Sequence, residues 1–265
     1  MKQLFSQATL AIALLLNLTN AWDYTKNGTD WTDGICSDET KVQSPRDMYH
    51  NGTDWYTGLK TQFVFLPYNL TAVKPTKMEF ENLIYTVYGN FGRLYAKEPA
   101  NNDLTKIVKW DAMYMRFHYP AEHLVQSAQY DLEMQVYIND TASMSQGCLS
   151  GYGAIAVLFK VGLNDNPFFD WLTKTGDDQQ IDLSTIFTPN TPLNNYISGY
   201  VGTDTIPPCT RFVCWYVIET PMEISQKQLD MFKTKDTPYN ARKAQQGKDL
   251  TQRQLLNAQG LNVKA

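Results

Sequence analysis

Short apolar runs with the character of β-strands recur along almost the whole chain, and they constrain its fold more than any other feature. Val, Ile, Tyr and Phe dominate these runs, while Gly, Pro, Asn and Asp stand between them, as in strands separated by turns. Helical pattern is confined to short stretches around residues 166–174, 225–232 and the C-terminal tail. We therefore predict a mainly β fold, with strands near residues 63–65, 83–88, 112–118, 131–138, 153–161 and 212–219.

The N-terminus has the pattern of a secretory signal peptide over residues 1–21. Lys2 precedes an apolar run at residues 8–16, and small residues stand three and one positions before Trp22, as at a cleavage site. The run is short for a bilayer span, which takes ~20 residues, so we expect cleavage, with an uncleaved anchor as the alternative. No Gly-, Pro- or Ser-rich linker divides the rest. Residues 22–265 are therefore predicted to form one domain, with a polar tail at about 247–265.

Four Asn-x-Ser/Thr sequons follow the predicted signal, and each is an acceptor pattern for N-glycosylation. They predict a glycoprotein that is secreted or held in the lumen of the secretory pathway, with no membrane span after cleavage. The net charge is −4 and the pI about 5.4, and no basic face is evident, which excludes nucleic acid as the main partner. The sequons begin at Asn27, Asn51, Asn69 and Asn139.

Four cysteines, Cys36, Cys148, Cys209 and Cys214, allow three disulfide pairings, and at least one bridge is expected in an oxidising compartment. No Cys-x-x-Cys spacing points to zinc or redox chemistry. A bridge between Cys36 and Cys209 would close a long loop and stabilise by about 4 kcal/mol in the chain-entropy model. The alternative for Cys214, which lies in an apolar strand, is a buried free thiol. The pairing of Cys148 with Cys214 stays open.

The chain contains only three histidines, which limits every enzymatic hypothesis. His50 lies in a polar loop that carries a sequon, and we interpret it as solvated. Arg116 and His118 share one face of a predicted strand, because side chains alternate along a strand. Glu133 and Gln135 share a face of the next strand in the same way. If the two strands pair antiparallel, these four side chains converge on one patch.

Several short motifs follow one another in an order typical of one protein family. They are Trp22-Asp23-Tyr24 with Asn27-Gly28 and Trp31, Gln43-Ser44-Pro45, the stretch FHYPAEH at 117–123, Tyr130-Asp131-Leu132-Glu133, VLFKVG at 157–162 and Thr205-Ile206-Pro207-Pro208-Cys209. Through these motifs the chain resembles the α-carbonic anhydrases over nearly all of residues 22–265. The resemblance implies a single α-carbonic-anhydrase-like domain with a large, mostly antiparallel twisted central sheet that is flanked by short helices.

The resemblance also implies where a metal site would lie. Family enzymes hold a catalytic zinc ion with three histidines, and the matching positions are Arg116, His118 and Gln135. Catalytic zinc needs three protein donors and an open position for water. Arginine stays protonated and offers no lone pair, and a carboxamide is a weak zinc donor beside imidazole. We therefore expect no bound zinc. The proton-shuttle histidine of efficient family members is matched near Arg93.

Other positions of the family's site are retained. Thr205 and Glu122 match the pair that orients the zinc-bound hydroxide in the family. Glu133 matches the carboxylate that orients the missing third histidine. Tyr24 and Tyr200 match tyrosines of the same hydrogen-bond network. The resemblance therefore implies that residues around the metal site are retained although two of its metal ligands are not.

Two further expectations come from the resemblance. Cys36 and Cys209 match the disulfide of the family's secreted members. Asp204 and Ile206 stand on either side of the retained threonine, and they alter the mouth of the cavity.

A permanent cation in the former metal cavity needs a partner. We hypothesise that Arg116 pairs there with Glu133 or Glu122, because an uncompensated buried carboxylate costs several kcal/mol. His118 is interpreted as a core-facing, hydrogen-bonded histidine. His123 is interpreted as facing outward or capping a turn.

Retained fold and lost ligands together predict a secreted, glycosylated carbonic-anhydrase-like protein that is zinc-free and inactive. It would act through its surface as an interaction or structural module, with a protein partner that the sequence does not identify. The resemblance includes the family's acatalytic members, in which zinc histidines are replaced. The alternative is an active carbonic anhydrase that catalyses reversible CO2 hydration with zinc held in an unorthodox way. A third hypothesis is a small-anion binder that uses Arg116.

Overall fold

The structure is a computed structural model that describes residues 22–38, 43–48, 64–68, 70–97, 108–140, 152–187, 197–209, 212–233 and 239–245. The predicted signal peptide at 1–21 and the tail at 247–265 lie outside these residues. His50, Asn51, Asn69 and Cys148 lie outside them as well. Within the described ranges, no helix is both long enough and apolar enough to cross a membrane.

One large β-sheet is the main element of the described residues. The strands are β1 (Asp47–Met48), β2 (Val64–Tyr68), β3 (Lys77–Glu81), β4 (Ile84–Tyr88), β5 (Arg93–Lys97), β6 (Val108–His118), β7 (Leu124–Val125), β8 (Leu132–Asp140), β9 (Tyr152–Gly162), β10 (Ile197–Thr203) and β11 (Phe212–Ser225). Nine of them form one sheet, in which seven lie in the order β10-β11-β9-β8-β6-β4-β3, while β5 pairs with β6 and β2. Strands β9 and β11 run parallel, and the other neighbours in this sheet run antiparallel. The prediction of a mainly β, mostly antiparallel sheet is confirmed.

All six predicted strand regions overlap observed strands, but the sequence pattern does not indicate β3, β5 or β10. Strands β3 and β5 contain no β-branched residue, and such residues carry much of the strand signal. Strand β10 contains Gly199 and Gly202, and glycine weakens a strand pattern. Pairing with neighbours in the sheet forms these three strands where the local sequence does not predict them.

The predicted helical stretches are short, as expected. Asn166 accepts a hydrogen bond from the backbone N–H of Phe168 and begins a 3-10 helix over Pro167–Thr173. Ser225 and Gln228 form a capping box at the start of α1 (Gln226–Asp230), the arrangement in which side chain and backbone satisfy each other's free groups. Both segments pack against the apolar core of the sheet, through Phe169 and Leu229 respectively.

Alternation along β6 and β8 separates the face of the sheet that carries the main apolar core from the face that carries the candidate site. Phe117, Met134 and Val136 are fully buried in the largest apolar core of the described residues. Arg116 and Gln135 lie between them in sequence and therefore point to the opposite face. This face forms the floor of the candidate site.

The cysteines that the structure describes are all disulfide-bonded. A disulfide joins Cys36 to Cys209, as the resemblance implied. Cys214 is also disulfide-bonded, and the described residues contain no free cysteine. The interpretation of Cys214 as a free thiol is therefore wrong. Its position in the buried strand β11 made a thiol and a half-cystine equally compatible with the sequence.

Candidate functional site

Pairing of β6 with β8 brings the four predicted residues together. Arg116 lies directly opposite Gln135, and His118 lies directly opposite Glu133. His118, Glu133 and Gln135 are completely buried, whereas the side chain of Arg116 keeps 14% of its surface exposed. The predicted convergence on one patch is confirmed. We call this patch and its walls the cleft.

Arg116 lies at the open end of the cleft against aromatic rings. Its guanidinium carbon is 5.2 Å from the ring centre of Tyr114 and 5.0 Å from that of Tyr137, within cation–π range. Its Nη1 donates to the hydroxyl of Tyr137 at 3.3 Å and lies 3.9 Å from a carboxylate oxygen of Asp204. The hypothesis that Arg116 pairs with Glu133 or Glu122 is therefore wrong, because the two tyrosines and Asp204 surround the guanidinium instead.

His118 is held from one side only. Its Nδ1 lies 2.9 Å from the backbone carbonyl oxygen of Asn240, to which it donates, and 3.4 Å from Oε1 of Glu122. Its Nε2 is buried and has no hydrogen-bond partner among the described residues. The interpretation as a core-facing, hydrogen-bonded histidine is confirmed. The free ring nitrogen carries a lone pair, since the other nitrogen carries the proton.

The carboxamide of Gln135 is fully used by its neighbours. Its Nε2 donates to Oε2 of Glu122 at 2.8 Å and to Oε1 of Glu133 at 3.0 Å. Its oxygen accepts a hydrogen bond from the hydroxyl of Tyr137 at 3.0 Å. One neutral group thus bridges two buried carboxylates, which explains why neither carboxylate needs Arg116.

Thr205 and Glu122 do not form the hydrogen bond that the resemblance implied. The Oγ1 atom of Thr205 is buried without a partner in the described part of the chain. Oε1 of Glu122 accepts from the backbone N–H of Arg242 at 2.8 Å, and its Oε2 accepts from Gln135. Other donors therefore engage both carboxylate oxygens, and the threonine hydroxyl is left facing the cleft.

Glu133 is a buried anion with a complete set of donors. Its Oε2 accepts from the backbone N–H groups of Glu122 and His123, both at 2.8 Å. Its Oε1 lies 2.7 Å from Nδ1 of His123. Burial alone would raise the pKa of Glu133, but its attraction to His123 and these hydrogen bonds outweigh burial and lower that pKa to about 2. Glu133 is therefore charged at physiological pH.

His123 is completely buried, so the interpretation that it faces outward is wrong. Its Nε2 lies 2.7 Å from the hydroxyl of Tyr200, which in turn donates to Oγ of Ser44 at 2.9 Å. A continuous chain of hydrogen bonds thus runs from Glu133 to Ser44. Tyr200 thus belongs to a network with His123 and Ser44 and is not linked by these bonds to Thr205 and Glu122. Adjacency to a charged residue in a turn made His123 look exposed, although its partners come from other strands.

Tyr24 lines the cleft but takes no part in this chain of hydrogen bonds. Its ring is completely buried, and its hydroxyl has no partner among the residues that the structure describes. Burial, with a smaller contribution from Glu122, raises the pKa of Tyr24 well above its ordinary value. The hydroxyl therefore stays neutral and offers both a donor and an acceptor to the cleft.

Sequence reasoning missed two residues of a C-terminal segment that closes the site. Asn240 supplies the carbonyl that fixes His118. Arg242, of which 1% is exposed, donates to the carbonyls of Ser44 and Cys36 at 2.5 and 2.8 Å and to Oε1 of Gln43 at 3.2 Å. Burial lowers the pKa of Arg242 to about 10. Nothing in the local sequence signals this burial, because all the partners are far away in the chain.

The chemistry of the cleft is that of a polar pocket without a metal-ligand set. In the described residues, no group of three or more His, Cys, Asp or Glu side chains is arranged to hold a metal ion. At the position matched to the proton-shuttle histidine, Arg93 forms two hydrogen bonds with Asp111, at 2.6 and 3.1 Å. What the cleft offers is a guanidinium at its mouth and an imidazole and hydroxyl groups at its floor.

Relatives are found along most of the chain. A carbonic anhydrase of Nostoc sp. is 27% identical over 178 residues, which are 66% of this chain and 63% of that protein. A carbonic anhydrase of Dunaliella salina is 26% identical over 242 residues, which are 80% of this chain and 39% of that protein. The chain thus spans less than two thirds of the length of these two relatives.

The fold has solved counterparts as well. A carbonic anhydrase from Chlamydomonas reinhardtii, solved in complex with acetazolamide, superposes with a TM-score of 0.62 at 19% identity, over 85% of this chain and 95% of that one. At this identity the likeness shows the fold alone. The model of the family described as eukaryotic-type carbonic anhydrase matches residues 26–262. On this match, the chain belongs to the eukaryotic-type carbonic anhydrase family.

Proposed function

We propose that this protein is a zinc-free and catalytically inactive member of its family that works by binding rather than by catalysis. The observation that carries the proposal is the state of the three positions that match the family's zinc histidines. Arg116 is a cation, Gln135 has its carboxamide bound on both sides, and only His118 presents a free nitrogen.

The zinc ion that the family implies does not fit this donor set. Arg116 brings a positive charge to the place where the charge of the ion would lie, and its guanidinium has no lone pair. Turning Gln135 toward a metal would break its hydrogen bonds to Glu122, Glu133 and Tyr137 and leave buried polar groups unpaired. A single imidazole is a third of what a catalytic zinc site uses. Hydration of CO2 by metal-bound hydroxide therefore has no support in these residues.

The proposal includes a glycosylated protein of the secretory pathway, which presents its surface to a protein partner. Two features support this location. Cys36, Cys209 and Cys214 are all disulfide-bonded, and disulfides persist in oxidising compartments. Asn139 is exposed on β8, so its side chain is accessible, whereas Asn27 is half-buried in a turn. We therefore expect Asn139 to carry a glycan more completely than Asn27.

Metal analysis of the full chain, expressed through a eukaryotic secretory pathway, tests the central claim. After equilibration with zinc and removal of the excess, the natural chain should retain almost no zinc and show no CO2 hydration. Arg116→His combined with Gln135→His should retain about one zinc ion per chain, because Glu133 then faces a new imidazole N–H and His118 supplies the third donor.

A matched control is Arg93→His combined with Gln180→His, which makes the same two exchanges away from the cleft and should gain no zinc. The competing function is an active carbonic anhydrase with an unorthodox metal site, which the names of the relatives and the free Nε2 of His118 favour. Stoichiometric zinc in the natural chain, together with CO2 hydration that a chelator abolishes, would establish that function and refute ours.

A further inference from the structure

Three buried polar atoms of the cleft have no hydrogen-bond partner within the described ranges. They are Nε2 of His118, Oγ1 of Thr205 and the hydroxyl of Tyr24, and each of these residues is completely buried. A buried polar group that stays unpaired is destabilising, so proteins rarely keep several together. Such a cluster indicates the place of a ligand.

The residues that carry these three atoms lie in the neighbourhood of Arg116. His118 follows Arg116 by two residues on the same face of β6, so their backbones are about 7 Å apart. Thr205 follows Asp204, a carboxylate oxygen of which lies 3.9 Å from Arg116. Tyr24 is completely buried and lies close enough to Glu122 and Arg116 for both to act on the pKa that its burial raises.

The two ends of the cleft match different chemical groups of one ligand molecule. At the mouth, the guanidinium of Arg116 packs against the rings of Tyr114 and Tyr137. One of its N–H groups donates a hydrogen bond to the hydroxyl of Tyr137. A guanidinium matches a carboxylate in shape and charge. At the floor, Nε2 of His118 is an acceptor, because Nδ1 donates to the carbonyl of Asn240. This nitrogen therefore matches a ligand group that donates a hydrogen bond, an O–H or an N–H.

We propose that the cleft binds a small hydroxycarboxylate, with its carboxylate on Arg116 and its hydroxyl donating to Nε2 of His118. The hydroxyls of Thr205 and Tyr24, which can donate or accept, satisfy the remaining oxygen atoms. The inference rests on the proposed function, since a zinc ion on His118 would occupy the same nitrogen. It goes further by naming the class of ligand.

Asp204 sets the strength of this binding. Its carboxylate lies near the same guanidinium and competes with an incoming anion. Asp204→Asn removes the competing charge and keeps the size of the side chain. It should therefore tighten binding, whereas Arg116→Gln should weaken it at least about tenfold, the loss of one charge-assisted contact.

Calorimetric titration of the full chain with glycolate and with acetate, at constant ionic strength, tests the proposal. The two anions differ in a single hydroxyl, so glycolate should bind about tenfold more tightly than acetate. The charge-matched control Arg93→Gln, at an arginine paired with Asp111, should leave the glycolate affinity unchanged. Arg116→Lys keeps the charge without the fork and should weaken glycolate binding, which covers the case in which Arg116→Gln fails to fold.

Zinc content is measured on the same samples, so that the two proposals fail separately. A zinc-free chain that binds neither anion, or binds both equally, overturns the inference and leaves the proposed function standing. Glycolate binding that persists in Arg116→Gln also overturns the inference. A chain that retains stoichiometric zinc overturns the proposed function first.

Discussion

At the scale of single residues, the cleft shows how buried polar groups satisfy one another without a contribution from Arg116. Gln135 donates a hydrogen bond to one carboxylate oxygen of Glu122 and to one of Glu133. Arg116 adds a charge of opposite sign but is directed to Asp204 and two tyrosines. Buried carboxylates cost several kcal/mol unless they are hydrogen-bonded or paired. Satisfying them is therefore a condition for folding, whatever the cleft binds.

Glu133 makes acid stability a direct test of this network. Its pKa is lowered to about 2 in the folded protein from an ordinary value of 4.5, so its stabilisation is fully present above about pH 4.5 and is lost as the pH falls through about 2. The shift corresponds to about 3 kcal/mol. We expect Glu133→Gln to lower the free energy of unfolding at pH 7 and to flatten its fall between pH 4.5 and 2, as measured by urea unfolding.

Glu81 supplies the control for this experiment, because it is exposed on β3. Glu81→Gln should leave both the stability at neutral pH and its acid dependence close to those of the natural chain. If Glu133→Gln lost stability with acid as steeply as the natural chain does, the carboxylate would not be the source of the pH dependence.

At the scale of elements, the polar chain of the site depends on how closely β10 approaches the segment that carries Ser44. The backbone N–H of Thr203 donates to Oγ of Ser44 at 3.0 Å, and the hydroxyl of Tyr200 donates to the same oxygen. Gly202 lies between them, and a Cβ added there would come within 2.1 Å of that oxygen. Only glycine at position 202 therefore allows β10 to approach Ser44 this closely.

Two glycines of the same strand make this dependence testable. Gly202→Ala should destabilise the protein by about 1–3 kcal/mol, as overpacking does, because the added methyl group displaces Ser44 or the ring of Tyr200. Gly199→Ala should change stability little, since its Cβ would meet the backbone oxygen of Trp215 at an ordinary 3.5 Å. Urea unfolding of the two variants gives the comparison, and equal stabilities would show that the close approach is unimportant.

At the scale of the whole molecule, two long-range contacts join segments that lie far apart in the sequence. The disulfide joins Cys36 to Cys209 across 173 residues of sequence. Arg242 reaches the carbonyls of Cys36 and Ser44 from the other end of the chain. Both meet beside the cleft, so the stability of the site is tied to contacts that close very long loops.

Removal of the disulfide tests the first of these long-range contacts. Cys36→Ser combined with Cys209→Ser should lower the free energy of unfolding by about 4–5 kcal/mol, because a loop of this length has a large closure entropy in the unfolded chain. Guanidinium unfolding measures the loss, with mass spectrometry to verify that Cys214 remains oxidised. A loss below about 1 kcal/mol would mean that the unfolded chain is already constrained in this region.

Sequence patterns predicted the parts of the site that depend on neighbours along the chain. Alternation placed Arg116 with His118 and Glu133 with Gln135, and antiparallel pairing then brought them together. The same reasoning failed for His123, whose partners Glu133 and Tyr200 lie on two other strands. Proximity in sequence carries no information about such contacts.

By itself, the sequence determined the mainly β architecture, the alternation that separates core from cleft, and the presence of a guanidinium and a carboxamide on the strands that carry His118 and Glu133. Only the tertiary structure decided which buried groups these two side chains contact. Arg116 turns to Asp204 and two tyrosines, and Gln135 takes the carboxylates. The reason is physical: strand periodicity is a local property of the backbone, whereas each buried polar group takes its partners from whatever segments the fold brings within hydrogen-bond distance.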